Sequence, residues 1–541
     1  MDVRRSTALI LVGLMLVVVS TPFLANPLFL QTMTTAPMPP YPTSKLDPAL
    51  VAEISKPPHN VAVAIKFDGE SVIGQLRTNC LFVPDYQSRI TSIAYGKMRS
   101  DMIEVAAQLP NVIMIWLQST GIGLLDTWSS EFYSGYLSIP IAPDYVAVTS
   151  LDSARYIHAD TVWARGYTGA GIRIAMLDSG IDVDPAVRQK YFGNRLIVDV
   201  PIDLIHDYPD DQIGHGTATS FIAAGNNVTV TISDRSDPKY GTSFAVAGIA
   251  PGALVINAKI NINSMDINVI EQYIAKVFEW SVIDQQADIV SSSLGLNGVS
   301  MAGETPCNAW CEVVQAAIVK YGIIYVNAAG NNPGVFGRIV YPVRYLPNAL
   351  AVGTVSIKYK GGGWIANSDK SGIDCLGFFP VCWSTTPHPF RDGSNEQRRS
   401  LDVVAPGGMW LGGSPPYGGS CCSMVYEGFL SAGKGNQLIK AVGTSFSAPQ
   451  VTGVVALVME WMGTHRDPSK VTQIINHIRS STTDILDIGF DEVSGNGVID
   501  ASKAVPAAPP ILVGTSSLGM GLFGLGLMLM VTGVFFRRQD E

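Results

Sequence analysis

Three short strings that contain glycine constrain the fold of this chain more than any other feature of its sequence. They read Leu177-Asp178-Ser179-Gly180, Gly214-His215-Gly216-Thr217 and Gly443-Thr444-Ser445. Along the chain they supply an Asp, a His and a Ser in that order. Such side chains can pass a proton only where a fold brings them together, and unrelated folds use different chain orders. The order therefore favours one particular architecture, which the rest of the sequence has to fit.

From residue 172 onward, short apolar runs alternate with longer segments that are typical of helices. The sequence predicts strands at Ile172–Leu177, Leu254–Ile260, Asp288–Ser292, Ile323–Asn327 and Ala349–Val355, and helices at 216–224, 268–286, 307–321 and 446–462. This alternation predicts an α/β fold, with a mostly parallel sheet and helices on both of its faces. Functional residues of such sheets gather beyond the carboxyl ends of the strands, where Asp178 and Asn331 are expected.

Each of the three residues also has an ordinary structural explanation. Ser445 could simply cap a helix, which is a common use of serine. His215 could be a core or surface histidine, and Asp178 could end a strand in a turn. Three nearby residues compete for the same roles but lie outside the glycine frames: His206, Asp182 and Asp184.

The longer contexts of the three strings resemble the motifs of the subtilisin-like serine proteases, or subtilases. The serine string continues as Phe446-Ser447-Ala448-Pro449, and the histidine string is followed by Ala223-Ala224-Gly225. One departure is Ala218, where many relatives carry a second histidine. The resemblance covers roughly residues 153–505, interrupted by inserts, of which the largest lies between about 356 and 440.

The resemblance implies a serine endopeptidase that cleaves polypeptide substrates through an acyl-enzyme. In the family pattern Asp178 orients His215, and His215 removes the proton of Ser445. Asn331, in the string Ala328-Ala329-Gly330-Asn331, would donate to the oxyanion together with the Ser445 backbone N–H. A further string matches the strand that pairs with an extended substrate: Ser293, Leu294 and Gly295. No cofactor is required; a structural calcium ion is conceivable, but no loop spacing locates one.

The N-terminal part divides into four segments. A basic flank and a short apolar run predict a signal peptide over 1–20, with an uncleaved anchor as the alternative. Proline-rich residues 21–60 are expected to be an extended linker. Residues 61–120 predict a small α+β unit that resembles the family's pro-domain, which acts as a transient inhibitor. A connecting arm over 121–150 follows, and release of the pro-domain requires cleavage somewhere in 118–152.

The C-terminal end predicts a membrane anchor. Residues 511–536 carry no charge and are long enough to cross a bilayer, although a buried core helix is an alternative. Arg537 and Arg538 would keep the tail 537–541 in the cytoplasm. The catalytic region 151–505 is then expected outside the cell, on a single-pass membrane protein.

Cysteine content and charge fit an exported protein. Six of the seven cysteines fall in the catalytic region, which allows up to three disulfides. Proximity favours the pairs Cys307–Cys311 and Cys375–Cys382. The formal net charge of −9 argues against a nucleic-acid partner.

Two other functions remain open from the sequence. A catalytically inactive subtilase-fold protein could bind at the cell surface, although all four catalytic positions are filled. A related acid protease would use Glu in place of His215, which the histidine string disfavours.

Overall fold

A computed structural model of the protein describes residues 45–118, 121–124, 148–233, 235, 240–260, 270–297, 307–330, 342–355, 357–360, 363–366, 401–407, 409–411, 425–427, 429–441, 443–485, 489–490 and 494–507. The helices in these ranges include none with the length and apolar character that a membrane span requires. The expected signal peptide (1–20) and membrane span (511–536) lie outside the described residues.

The strands are numbered in chain order. They are β1 (Asn60–Phe67), β2 (Val83–Gln87), β3 (Ile93–Arg99), β4 (Val112–Leu117), β5 (Gly121–Leu124), β6 (Arg173–Asp178), β7 (Leu196–Asp199), β8 (Val228–Thr231), β9 (Ser243–Val246), β10 (Leu254–Lys259), β11 (Ile289–Ser292), β12 (Leu294–Asn297), β13 (Ile324–Ala328), β14 (Leu350–Val355), β15 (Ile357–Lys360), β16 (Gly363–Ala366), β17 (Val403–Pro406), β18 (Met409–Leu411), β19 (Val425–Glu427), β20 (Phe429–Gly433), β21 (Gln437–Ala441), β22 (Thr482–Thr483) and β23 (Val498–Ile499).

The helices are numbered in the same way. They are α1 (Pro48–Ile54), α2 (Ser71–Cys80), α3 (Ile103–Gln108), α4 (Ser150–Tyr156), α5 (Ala159–Trp163), α6 (Pro185–Phe192), α7 (Ile202–Ile205), α8 (His215–Ala224), α9 (Ile270–Glu279), α10 (Ala309–Tyr321), α11 (Thr444–Met462), α12 (Val471–Ser480) and α13 (Ala501–Ala504). A π-helical turn, Trp280–Asp284, continues α9.

The main domain, residues 148–507, is built on a mostly parallel sheet of the α/β type. Among the described residues nine strands pair in the order β22-β23-β17-β14-β13-β11-β6-β10-β7. All neighbours run parallel except β22 and β23. After β6 the chain adds β7 and β10 on one side of β6. It then crosses back and adds β11 on the other side of β6. Crevices at such a reversal lie beyond the carboxyl ends of the strands and commonly hold functional sites.

Two buried helices carry the strings around His215 and Ser445. Every residue of α8 is buried, and so are all but two of the residues of α11. A helix with no solvent-exposed face needs small or apolar residues on all sides, which explains the Ala-, Ser-, Thr- and Val-rich sequences of both. The strings predicted to carry chemistry therefore stand on helices held from every side.

An N-terminal module, residues 45–118, forms a separate antiparallel sheet in the order β2-β3-β1-β4. Side chains alternate along β1, so that Val63 and Ile65 face a small core closed by helices α2 and α3. The opposite face presents Ala64, Tyr95 and Trp116 to the core of the main domain. Both faces of this sheet are therefore covered, although antiparallel sheets often leave one face in water.

Two expectations about this region need correction, and a third gains detail. Residues from Leu46 onward are not an extended linker, because Asp47 caps helix α1, Pro48 begins it and Leu50 is buried in the module core. The sequence pattern also predicts a helix over 98–109, and the observed helix is shorter, since β3 extends to Arg99 and a 3₁₀ turn precedes α3. The connecting arm expected over 121–150 begins with β5, which pairs with β12.

The module is joined to the main domain by a buried carboxylate on α9. Glu279 is fully buried and accepts hydrogen bonds from the Ser88 hydroxyl (2.6 Å), the Tyr86 hydroxyl (2.7 Å) and the Arg89 backbone N–H (2.6 Å). Arg89 also forms a two-pronged ion pair with Asp284 at 2.6 and 2.9 Å. Removing the module would leave the Glu279 carboxylate without these three donors, and unsatisfied buried groups are costly.

Burial gives this contact a pH dependence of predictable sign. Burial raises the pKa of Glu279 above its ordinary 4.5, and its hydrogen bonds offset only part of the shift. A carboxyl with a raised pKa holds more protons in the folded state, so the stability of the chain should fall as pH rises from that value. In a Ser445→Ala background, which prevents the expected self-cleavage, Glu279→Gln should remove this part of the slope of Tm against pH.

Asp284→Asn is the matched control. The Arg89 side chain lowers the pKa of Asp284 below its ordinary 3.8, so this group loses its contribution only at more acidic pH. Its substitution should leave the slope between about pH 5 and 8 unchanged. An identical slope for Glu279→Gln and its parent would contradict the assignment.

Candidate active site

Asp178 is the last residue of β6, at the point where the strand order reverses. It is 2% exposed, and its Oδ1 lies 2.6 Å from Nδ1 of His215, which is 1% exposed. The same oxygen accepts the Ser179 backbone N–H at 2.7 Å, and Oδ2 accepts the Thr219 hydroxyl at 3.0 Å. These bonds fix the carboxylate, and through it the plane and tautomer of the imidazole.

Ser445 lies in the first turn of α11. The helix is capped by Gly443, whose φ of +118° suits glycine and no other residue well, and no side chain caps its first turn. The Ser445 hydroxyl is fully buried and makes no hydrogen bond to a described residue. Capping therefore does not account for this serine. The N-terminal end of a helix places positive potential beside it.

Contacts between the helices place the serine segment next to the histidine. The ring of Phe446, the residue after Ser445, lies 5.4 Å from the imidazole of His215 between centroids. On the other side, the Ser293 hydroxyl donates to the Ser445 carbonyl at 2.9 Å. Ser293 directly precedes β12, so the serine, the histidine and the predicted substrate edge meet in one region.

The predicted substrate edge is already paired in this structure. Ser293, Leu294 and Gly295 are buried, and β12 pairs antiparallel with β5, with Leu294 opposite Leu124 and Gly295 opposite Gly123. The side-chain amide of Asn327 braces this edge by donating to the Leu294 carbonyl at 3.2 Å. A backbone edge of this kind binds an extended chain through its own N–H and C=O groups.

The turn expected to supply the oxyanion donor ends beside the serine helix. The Gly330 backbone N–H donates to the Thr444 hydroxyl at 3.2 Å. Asn331 follows directly but lies outside the described residues, as do four of the cysteines: Cys375, Cys382, Cys421 and Cys422. Cys307 and Cys311 are joined by a disulfide at the start of α10.

Sequence reasoning missed three residues that hold the aspartate and the histidine. Thr219 and Ser179 contact Asp178 directly. Asp211 is fully buried and accepts hydrogen bonds on both sides of residue 215. Its position four residues before His215 was visible, but Asp207 and Asp210 stand in the same loop and the sequence does not rank them.

The competing residues have other partners. Asp184 caps α6 by accepting the backbone N–H of Ala186, and Asp182 accepts those of Asp184 and Gly435. The His206 ring packs edge-on against Tyr273. Over the described part of the chain no group of three or more His, Cys, Asp or Glu side chains is arranged to hold a metal ion.

Comparisons with known proteins agree with this geometry. The family model described as Peptidase_S8, Subtilase family, matches residues 169–497. The chain is 26% identical over 350 residues to M-protease of Shouchella clausii, covering 64% of this chain and 68% of that protein. It is 25% identical over 350 residues to Subtilisin Savinase of Lederbergia lenta, covering 64% of this chain and 96% of that protein.

A solved structure has the same fold. The crystal structure of fervidolysin from Fervidobacterium pennivorans, a keratinolytic enzyme related to subtilisin, matches with a TM-score of 0.53 at 17% identity. The match covers 84% of this chain and 62% of the fervidolysin chain.

Gly216 provides a test of this packing. A Cβ atom at this position would lie 2.2 Å from the Gly180 carbonyl oxygen and 3.1 Å from the Ser179 nitrogen. Because both neighbours are backbone, Gly216→Ala has to move the histidine or the aspartate string. We expect a stability loss of about 1–3 kcal/mol and a fall in kcat/KM of roughly 100-fold.

Gly74→Ala is the control, since nothing lies within 4 Å of the added methyl group in the middle of α2. It should keep full activity and gain about 0.5–1 kcal/mol. Urea unfolding is measured on the uncleaved chain in a Ser445→Ala background, which keeps Gly74, and hydrolysis of a peptide substrate is measured on the matured enzyme. Full activity of Gly216→Ala would show that the strings are not packed as described.

Proposed function

The chain belongs to the subtilase family and is a serine endopeptidase, and we propose that Asp178, His215 and Ser445 form its catalytic relay. The observation that carries the proposal is the buried 2.6 Å contact between Asp178 and His215, beside a serine hydroxyl that caps no helix. His215 takes the proton of the Ser445 hydroxyl as its oxygen attacks the substrate carbonyl. Asp178 holds the ring and stabilises the imidazolium.

The remaining steps follow the chemistry of acyl transfer. Attack places negative charge on the carbonyl oxygen, which the Ser445 backbone N–H and the Asn331 side-chain amide stabilise. His215 then returns its proton to the departing amine, and an acyl-enzyme remains on Ser445. Water, deprotonated by the same imidazole, releases the second product. No cofactor enters this sequence of steps.

Substrate binding uses the edge formed by Ser293, Leu294 and Gly295. An extended polypeptide that pairs with β12 gains main-chain hydrogen bonds with little demand on its side chains. This edge lies next to Ser445 through the bond from the Ser293 hydroxyl. The arrangement supports cleavage within polypeptide chains.

The N-terminal module acts as a transient inhibitor of this edge. The strand that follows it, β5, already pairs with β12 and occupies the place of an extended substrate. The module is also bound to the main domain by Glu279 and by an ion pair between Lys66 and the mostly buried Glu312 at 2.9 Å. Cleavage in the segment 118–152 would break the covalent link between the module and the main domain while leaving these contacts.

The enzyme works at the outer face of a membrane. Residues 1–20 direct export, the uncharged segment 511–536 spans the bilayer, and 537–541 remain in the cytoplasm. The rival function is a surface binding protein that has lost catalysis. Positions 178, 215 and 445 carry the catalytic residue types, and the Ser445 hydroxyl makes no hydrogen bond within the described part of the chain; both facts favour the enzyme.

Replacing the nucleophile tests the relay and the processing together. Ser445→Ala should abolish hydrolysis of a denatured protein and leave the chain uncut between 118 and 152, since both reactions need the same hydroxyl. In subtilisin the loss on removing the nucleophile is about 10⁶ in kcat. N-terminal sequencing and mass spectrometry follow the processing.

Ser447→Ala is the matched control, because it removes a neighbouring buried hydroxyl that donates to the Ala405 carbonyl. This variant should still mature and cleave substrate. Processing of purified Ser445→Ala at the wild-type rate would overturn the proposed role of Ser445.

Removal of residues 511–541 tests the anchor. The truncated chain keeps every described residue of the main domain. It should appear in the medium as an active enzyme, while the full chain should sediment with membranes. A full chain that is found entirely in the medium with residues 511–536 still attached would contradict the anchor.

A further inference from the structure

We infer that Asp211 is a positioning residue that fixes His215 against Asp178, and this inference rests on the roles proposed for the relay. Asp211 is fully buried, and its carboxylate accepts five hydrogen bonds from described groups. The proposed role requires no contact between Asp211 and the substrate. Its effect on catalysis would pass through the residues that flank the relay.

One oxygen of this carboxylate holds the approach to the histidine. Oδ1 accepts the Gly214 backbone N–H at 2.7 Å and the Ile213 backbone N–H at 3.1 Å. It also accepts the hydroxyl of Ser179 at 2.8 Å, and Ser179 is the residue after Asp178. A single oxygen thus ties the chain before His215 to the chain after Asp178.

The other oxygen holds the start of helix α8. Oδ2 accepts the backbone N–H of Thr217 at 2.8 Å and its hydroxyl at 2.7 Å. The Gly216 backbone N–H donates to the Ser179 hydroxyl oxygen at 2.9 Å. Because Gly214 has no side chain to cap the helix, Asp211 and Ser179 accept the N–H groups that a cap residue would serve.

Two lysines hold the loop that carries Asp211. Lys259 is buried at the end of β10 and donates to the Asp207 carboxylate (2.8 Å) and to the carbonyls of Tyr208 and Asp210 (both 2.7 Å). Lys434 bonds the Asp210 carboxylate at 2.7 Å and the Asp211 carbonyl. The two lysines therefore hold the loop in place, and the Asp211 carboxylate on this loop in turn holds the start of the helix that carries His215.

The negative charge of Asp211 should affect the pH dependence of kcat/KM, which a role in packing alone would not do. In the described part of the chain, the charged groups that bond the imidazole or its loop include Asp178, Asp211, Asp210, Asp207, Lys259 and Lys434. A negative charge near an imidazole favours its protonated form. Loss of the Asp211 charge should therefore shift the acid limb of the kcat/KM profile to lower pH.

The test compares Asp211→Asn with Asp500→Asn in the mature enzyme. Asp500 is likewise a buried capping carboxylate, which accepts from Ser502 and Lys503 at the start of a different helix, α13. Both variants should lower Tm. Only Asp211→Asn should reduce kcat, by about 10- to 100-fold with KM within about twofold, and shift the acid limb.

A wild-type kcat and an unshifted acid limb in Asp211→Asn would overturn the inference. If that variant does not fold, Ser179→Ala decides, because it removes the Ser179 bonds to Asp211 and Gly216 and leaves the other four bonds of the carboxylate. It should reduce kcat with little change in KM, and wild-type kinetics would overturn the inference. Activity in Ser445→Ala would instead overturn the proposed relay itself.

Discussion

The buried contact between Asp178 and His215 is the constraint on which the rest of the structure depends. A carboxylate that is almost wholly removed from water is stable only with its hydrogen bonds satisfied, and here each oxygen of the Asp178 carboxylate has a donor. Those donors come from the residue after β6 and from α8, and two helices and a strand lie between β6 and α8 along the chain. The core has to hold both elements still, and the close approach at Gly216 shows how little space it leaves.

The sheet provides this rigidity through its strand order. Asp178 ends β6 at the reversal, and Lys259, its neighbour in register, ends β10. Lys259 hydrogen-bonds the loop that precedes His215, and Asp178 hydrogen-bonds the imidazole of His215. Because β6 and β10 are parallel, Asp178 and Lys259 lie together at the carboxyl ends of the strands. This strand pair therefore supports both the histidine ring and the loop before it.

Much of this arrangement was predictable from the sequence, because glycine frames mark where backbones approach closely. The strand expected at Leu254–Ile260 is Leu254–Lys259, and the helix expected at 446–462 begins two residues earlier at Thr444. The α/β class follows from the same alternation. The order of the strands, and the presence of β7 and β17 in the sheet, did not follow, since short runs and inserts carry no pairing information.

Asp211 shows why part of the site could not be found in this way. The sequence places several aspartates before His215, and the choice between them is made by Lys259 and Lys434, which lie far away along the chain. Likewise, the pairing of β5 with β12 depends on a contact between segments more than 150 residues apart. Local sequence patterns report local structure, and these contacts are tertiary.

The account depends most directly on the Ser445 hydroxyl being activated by His215, and covalent labelling measures that property. The mature enzyme is incubated with a fluorophosphonate probe, and the modified peptide is identified by mass spectrometry. We expect one label per chain, on Ser445, with a rate that falls by several orders of magnitude in His215→Ala. A label on another serine, or labelling of Ser445 at an equal rate without His215, would contradict the account.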